Sequence, residues 1–407
     1  MSTGIFSTSS ASSTQSYIVP SFAQAITRLM PNGTAPLFVM TSQAGEETAL
    51  QPEHGFFTKT MIFPQVTLSA SALSTDTTIT VSSTTNIIPG MMMRNQTTKE
   101  QFMVTAVSSA TQIQVSRGIG STAATMSSSQ LCYQVGTAFE ESSLRPNALS
   151  INPVKITNYT QIIRNTWAVS GSAAATQVIA GDTITAENRG DCAKLQANDI
   201  EKAIIFSQKS SGTLNGQPFR TMDGLVNITS TLAYYPPTYA AANVYTAGST
   251  TNYTQLEGFF DPCFNQVTDP ASANTRVLFV GATARKVLNN IGRLNSTYYM
   301  VNGETSYGLQ FTQFKIARGT FNMVEHPLLN SNADWMKMAI AVDINGFKLA
   351  YLGGRKTQRK EFNQSGDVAQ DNGIDAIGGT LTTEVTTVVK NPPANAVVDN
   401  FTAAAAG

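Results

Sequence analysis

The sequence predicts an α+β protein, built of short β-prone runs with a few helices and with neither a regular βαβα alternation nor an internal repeat of fixed period. Two observations carry this. One stretch, 182–209, has sustained helical character, whereas most other apolar segments alternate or are too short to make a helix. Clusters of Gly, Pro, Asn and Ser punctuate those segments as turns.

The chain of 407 residues is long enough for two or three domains and a substantial core. Hydrophobic residues make up 42% and charged residues only 13%, about half the usual charged share of a soluble protein. So few charges protect a surface weakly against association, which predicts a protein built to meet others. Lys plus Arg and Asp plus Glu number 26 each, so the basic surplus of a dedicated nucleic-acid binder is missing. Cys132, Cys192 and Cys263 have no metal-ligand spacing and read as reduced, buried thiols. Residues 1–20 lack the pattern of a signal peptide and no apolar run approaches 18 residues, which predicts a chain made and used in a cytoplasm.

Along the chain, 1–20 is a Ser/Thr-rich segment with isolated apolar anchors, either a tail or an arm laid on a neighbour. A short amphipathic helix over 21–31 is capped by Ser21 and stopped by Pro31. Strands are predicted at 56–66 and within 151–169. Between them, 67–136 holds short β-prone runs at 77–81, 91–94, 102–107, 113–115 and 131–135. Pro89-Gly90 fits a type II turn and Ser108-Ser109-Ala110 a hairpin, so this block reads as a small closed or half-closed barrel. The long helix over 182–209 is capped by Asp182 or Thr183, has Glu187 in an early turn and stops at Ser210-Ser211-Gly212. Ala193, Ala197, Ile200 and Ile204 would form its apolar stripe. A turn-rich connection is expected at 216–224 and a Tyr-rich loop at 234–245. Asn252 caps a helix that Pro262 kinks or shortens. A buried strand at 276–280 turns at Gly281 into a helix over 283–292. Strands follow within 298–321, at 335–342, 347–352 and 380–389, with Asp343-Ile344-Asn345-Gly346 read as a hairpin turn and a Pro/Ala-rich tail at the end.

A catalytic constellation is not expected. His54 and His326 have no Cys, Asp or Glu cluster at ligand spacing, and both read as structural or loop residues. Arg117-Gly118-Ile119-Gly120-Ser121 lacks the Lys-Ser/Thr of a phosphate loop, and Gly-x-Ser-x-Gly does not occur. Glu140 and Glu141 are adjacent, so on a regular element they diverge and make a poor acid/base pair. The basic run 355–360 reads either as a solvated loop or as a patch pairing with acidic residues of an adjacent subunit or touching nucleic acid; without interleaved aromatics it does not read bases.

Seven stretches together resemble the major capsid proteins of tailed bacteriophages: PSFAQAITRLMPNGTAPLF (20–38), FFTKTMIFPQV (56–66), FEESSLRP (139–146), NYTQIIRNTWAVS (158–170), LQANDIEKAIIFSQK (195–209), NGQPFRTMDGL (215–225) and MVEHPL (323–328). The closest pattern is the Hong Kong 97-type subfamily with a β-insertion in its extended loop. The resemblance implies an N-terminal arm at 1–35 and an extended loop at 50–166 bearing an inserted β-barrel at 67–136. It implies a peripheral domain at 167–219 with spine helix 183–209, an axial domain at 220–320, and a return to the peripheral domain with a C-terminal tail at 321–407. It also implies hexamers and pentamers in an icosahedral shell, a portal at one vertex, and double-stranded DNA enclosed without sequence-specific contact. Such a protein is a virion component assembled in the host bacterial cytoplasm, with no membrane, cofactor, metal or enzymatic role. The sequence has no room for a scaffolding segment of about a hundred residues, as some relatives carry, so a separate scaffolding protein is expected. Lys59 and Lys99 fall in the extended loop, but nothing marks an acidic catalyst for covalent crosslinking. Candidate inter-subunit residues are Phe6, Tyr17, Ile18, Phe56, Phe57, Lys59, Arg355, Lys356, Arg359 and Lys360. The competing readings are a β-rich tail-associated or soluble binding protein of low oligomeric order, and an enzyme in which His54 or His326 converges with carboxylates.

Overall fold

A computed structural model describes residues 32, 40–41, 44–59, 61, 63–150, 153–178, 181–236, 239, 241–267, 270, 274–294, 301–306, 309–362 and 374–405. The arm and the helix expected within 1–31 lie outside the described residues. The chain forms two compact units, Met1–Phe56 with Ile156–Gly407, and Phe57–Lys155.

In chain order the strands are β1 (Gly45–Ala49), β2 (Glu53–Thr58), β3 (Gln65–Thr67), β4 (Thr78–Thr80), β5 (Met91–Asn95), β6 (Gln101–Val107), β7 (Gln112–Ser116), β8 (Leu131–Thr137), β9 (Val154–Tyr159), β10 (Gln161–Ser170) and β11 (Ser210–Leu214). They continue with β12 (Gln217–Thr221), β13 (Val244–Thr246), β14 (Thr275–Val280), β15 (Val301–Ser306), β16 (Leu309–Ile316), β17 (Gly319–Glu325), β18 (Ala339–Val342), β19 (Phe347–Leu352), β20 (Gln358–Phe362), β21 (Ala376–Val389) and β22 (Ala396–Asp399). The helices are α1 (Gly171–Ala175), α2 (Ile184–Phe206), α3 (Leu225–Ser230), α4 (Tyr253–Phe260) and α5 (Ala282–Leu294).

Two sheets make the larger unit. The first runs β1-β19-β21-β10, with β20 also paired to β21. The second runs β13-β22-β18-β14-β17-β16-β15. One apolar cluster joins them: Ile163, Leu349 and Val385 of the first sheet pack with Phe279, Val324, Ile340 and Val397 of the second and with Ile200, Ile204 and Ile205 of α2. Helix α2 starts where the Thr183 hydroxyl accepts a hydrogen bond from the Ala186 N–H, with Glu187 in its first turn. Its 23 residues make a rod of about 35 Å. The buried stripe is Cys192, Gln196, Ile200 and Ile204, and Ala193 is exposed, which corrects the expected stripe. The reason is polar. The Gln196 amide donates to the Ile163 carbonyl (2.9 Å) and the Thr383 hydroxyl (3.1 Å), and its oxygen accepts from Asn165 (3.0 Å). A buried strand carbonyl that finds such a partner recovers about 1 kcal/mol, which outweighs burying a methyl group.

Three further expectations change. Ser210-Ser211-Gly212 does not end the helix, which stops at Phe206 with Ser207 as its C-cap; it opens β11, which forms a hairpin with β12 through Asn215-Gly216. Both turn residues have positive φ (52° and 73°), the type I′ geometry that Asn-Gly favours. Asp343–Gly346 is not a hairpin. It is a short 3-10 turn carrying the chain from β18 in the second sheet to β19 in the first, held where the Asp343 N–H donates to Asn395 Oδ1 (2.9 Å). The Pro/Ala-rich end is no tail: β22 pairs with β18, and Pro392, Pro393, Ala394 and Phe401 are buried.

In the smaller unit a six-stranded antiparallel sheet runs β3-β8-β5-β6-β7-β4 and closes through a bridge between Leu68 and Val81. Val66, Ile79, Met93, Phe102, Val104, Ile113 and Met126 fill its interior. Gly90 (φ +88°) occupies the third position of the Pro89 turn, and a Cβ there would run into the Phe139 ring. The polar keystone is Glu100, 1% exposed. Arg117 donates to both its carboxylate oxygens (2.6 and 2.7 Å), joined by the N–H groups of Ala124 (3.0 Å) and Gly118 (3.3 Å). Arg117 also reaches the carbonyls of Leu73 and Ala124, so one ion pair ties three loops. Burial alone pushes the Glu100 carboxyl up; the Arg117 guanidinium and the two N–H groups outweigh it and hold the carboxyl below its ordinary range. A carboxyl depressed in the folded state contributes stability above its unfolded pKa, and that contribution fades as pH falls through the carboxylate range. Replacing Glu100 by Ala leaves Arg117 buried and unpaired, at a cost of about 3–5 kcal/mol. Amide exchange should therefore accelerate across 65–137 in E100A while 339–405 stays protected, and unchanged protection at Phe102 and Val104 would refute this role for the pair.

Candidate assembly interface

Among the described residues no three His, Cys, Asp or Glu side chains gather to hold a metal, and no helix is long and apolar enough to cross a membrane. Both histidines are engaged locally. His54 lies 3.8 Å from Glu47. Burial holds the three thiols above their ordinary range, those of Cys132 and Cys263 up to about 12.

His326 belongs to a fully buried latch. Glu201 of α2 is 0% exposed and accepts from the N–H of Met40 (2.7 Å), the N–H and hydroxyl of Thr41 (3.1 and 2.6 Å) and Nε2 of His326 (3.1 Å). The Leu328 N–H donates to His326 Nδ1 (3.1 Å), which fixes the tautomer with its proton on Nε2, facing the carboxylate. The latch joins α2, the end of β17 and the short segment just before β1. Sequence reasoning missed it. The available signal was a Glu next to Ile200, on the buried arc of an amphipathic helix, in a chain with two histidines.

The predicted inter-subunit residues separate. Phe6, Tyr17 and Ile18 lie outside the described residues. Phe56 is half-buried against Ala49, Ala350 and Val388, whereas Phe57 and Lys59 are exposed. The basic run divides over both faces of its sheet. Arg355 pairs with Glu384 (2.7 Å), Lys356 with Glu46 (2.6 Å) and Arg359 with Glu361, so three of the four cations have partners within the chain. Lys360 is exposed. The Tyr-rich loop is local packing at Tyr235, whose hydroxyl donates to the Thr229 carbonyl (2.6 Å) and accepts from the Asn243 N–H (3.2 Å).

The smaller unit exposes several large apolar side chains. Met61 (76%), Phe63 (72%) and Leu144 (91%) are exposed along with Phe57, and every described residue from 135 to 155 is exposed. Together these four side chains expose on the order of 400 Å² of apolar area that a neighbouring molecule could cover.

Glu201→Gln keeps the shape of the latch but turns an NH₂ group toward donors. The variant should lose about 3 kcal/mol of stability in urea unfolding, and amide exchange at Met40 and Thr41 should rise first. Equal exchange in both proteins would remove the latch from this account.

A family model, SU10 major capsid protein, matches residues 4–402. A major capsid protein of Pseudomonas phage PaMx41 is 34% identical over 406 residues, covering 97% of this chain and 95% of the relative. Among solved structures, the capsid of a native GTA particle aligns at a TM-score of 0.48 with 10% identity, over 98% of this chain and 100% of the other. A structure from Mycobacterium phage Cain aligns at 0.48 with 9% identity, over 98% and 99%. At that level of likeness neither structure bears on the assignment, which rests on the family model and the PaMx41 relative. The chain belongs to the SU10 major capsid protein family and is a structural capsid protein of a tailed phage, assembling with its own copies into the shell of the virion.

Proposed function

We propose that copies of this chain form hexamers and pentamers that close an icosahedral shell around double-stranded DNA, with a portal at one vertex and a separate scaffolding protein guiding assembly in the host cytoplasm. Residues 1–35 act as an arm, and 50–166 as an extended loop carrying the 67–136 barrel. Residues 183–209 serve as the spine helix, 220–320 as the axial domain, and 167–219 with 321–407 as the peripheral domain. The observation that carries this reading is the exposure of 135–155 together with Phe57, Met61 and Phe63. Between β8 and β9, residues 138–150 lie in no strand or helix and are all exposed, so burial within their own chain offsets little of their ordering entropy and contact with neighbouring copies supplies the rest. Covering about 400 Å² of apolar surface contributes on the order of 10 kcal/mol before the costs of association, and a subunit repeats such contacts with several neighbours. Near-zero net charge suits an inner wall that lets the genome slide in without sequence-specific contact.

Expressed with its scaffolding protein, the chain should give uniform hollow spheres in negative-stain microscopy. Monomers or trimers alone would favour the soluble binding-protein reading. Deleting residues 1–20 should cut shell yield at least tenfold while leaving the urea unfolding midpoint of the subunit unchanged, and full yield from the deletion would remove the arm from assembly.

A further inference from the structure

The larger unit holds a groove short of negative charge among the described residues. In the first sheet, β10 alternates strictly. Ile163, Trp167 and Val169 face inward, with Asn165 turned to α2, and Ile162, Arg164 and Thr166 face solvent. The strand register extends that solvent face across the sheet: Arg164 stands opposite Thr382 and Thr382 opposite Gln358, while Thr166 stands opposite Thr380 and Thr380 opposite Lys360. Arg164, Lys360, Arg355, Gln358, Thr380 and Thr382 line a groove of about 240 Å³. Arg355 is already paired with Glu384, whose other oxygen accepts from Thr160 (2.8 Å). Arg164 makes one bond through Nε, to the Thr382 hydroxyl (3.3 Å). Lys360 has no hydrogen-bond or ion-pair partner among the described residues. The groove therefore carries two cations without an ion-pair partner among the described residues, about 12 Å apart (two inter-strand spacings across and two residues along), with threonine hydroxyls between them. A guanidinium with a free fork beside a lysine fits carboxylates.

The smaller unit carries the complementary charge. The chain turns at 140–143, where the Ser143 N–H donates to the Glu140 carbonyl (3.2 Å) and Ser142 takes a positive φ of 62°. Glu140 and Glu141 occupy the corner of this turn, both exposed, with no ion-pair partner among the described residues. Exposed Phe139 and Leu144 flank them. Elsewhere adjacent carboxylates are spoken for: Glu46 pairs with Lys356, and Glu47 with Lys348 (2.8 Å) and Lys390 (2.9 Å).

We infer that the Glu140–Glu141 turn of one copy docks in the Arg164–Lys360 groove of a second copy, its carboxylates meeting the two cations and its flanking Phe139 and Leu144 covering exposed Ile162. This rests on the reading of the chain as a shell subunit and names the residues that set the register between adjacent copies. Two pairs desolvated together specify orientation, and the apolar flanks supply area.

The test uses shells of the full chain carrying Glu141→Cys and Lys360→Cys together. The three native thiols are buried and remain silent. Mild oxidation followed by non-reducing electrophoresis should give a ladder of linked subunits, with each single-cysteine variant staying monomeric. Intact shells without a ladder overturn the inference, as does a monomer of shifted mobility, which would place the contact within one chain. Failure of the unsubstituted protein to form shells sinks the underlying reading instead. Independently, Arg164→Glu with Lys360→Glu should lower shell yield at least tenfold, and adding Glu140→Lys with Glu141→Lys should restore most of it. Shells formed in normal yield by the reversed groove, but holding less DNA, would assign the groove to nucleic acid and overturn the inference.

Discussion

Glu201 stands inside a helix that otherwise packs as an ordinary amphipathic rod, and what surrounds it constrains the larger unit. An ionised carboxylate without solvent costs several kcal/mol to bury. The protein meets that cost with backbone N–H groups, a hydroxyl and an imidazole drawn from residues 40–41 and 326, far apart in the chain. Each donor is useful only if the others are in place, so the carboxylate couples the segment just before β1 to the helix and the helix to the end of β17. One turn back, Gln196 repeats the device toward the first sheet, binding the Ile163 carbonyl and the Thr383 hydroxyl. The helix is held by polar groups aimed at specific partners as well as by its isoleucines, which gives it one rotational setting where an apolar stripe alone would accept several.

That device also explains what was legible in the sequence. Period and turn chemistry are local, so the long helix, the β-prone runs of 67–136 and the Pro89-Gly90 turn could be read directly. The stripe was misplaced because hydrophobicity ranks Ala193 and Ala197 above Gln196, and the competing term, a strand carbonyl needing a donor, lies in β10, more than thirty residues away. The Asp343–Gly346 turn shows the same limit. Its residues favour a hairpin, yet Asn395 captures the Asp343 N–H and sends the chain into the other sheet. At Asn215-Gly216 the signal is local, since Asn-Gly favours the turn that joins β11 to β12. The terminal residues look like a tail by composition, but a strand of Ala and Val is indistinguishable from a linker until a sheet edge such as β18 receives it.

The candidate interface was half legible for a related reason. A run of cations at 355–360 signals charge, but strand geometry decides its direction, and alternation sends Arg359 toward Glu361, which Arg189 also pairs, while Lys360 points the other way. Arg164, isolated in a β-prone run, becomes meaningful only through its register with Thr382 and Gln358. Glu140 and Glu141 are adjacent and exposed on a turn. The divergence that makes adjacent carboxylates unsuited to acid/base chemistry lets a turn present them to two separate cations.

In a chain with 13% charged residues, several are committed internally: Glu100 with Arg117, Glu201 with His326, Glu47 with two lysines, Arg285 with Glu325. Those that remain exposed are available to discriminate between neighbours. Exposed apolar limbs adhere to many surfaces, and apolar contact alone does not distinguish correct from slipped neighbours. Unpaired charges do, because a misplaced turn would desolvate Glu140 and Glu141 without meeting Arg164 and Lys360. That error costs more than the correct contact gains, since an unpaired buried charge is penalised in full while a good pair roughly breaks even. In a shell of many copies, weak contacts that reject wrong registers allow a misplaced subunit to leave before its neighbours trap it. In the proposed docking, sparse charge thereby serves closure of the shell through selectivity, and exposed apolar side chains such as Phe57, Met61, Phe63 and Leu144 supply the adhesion.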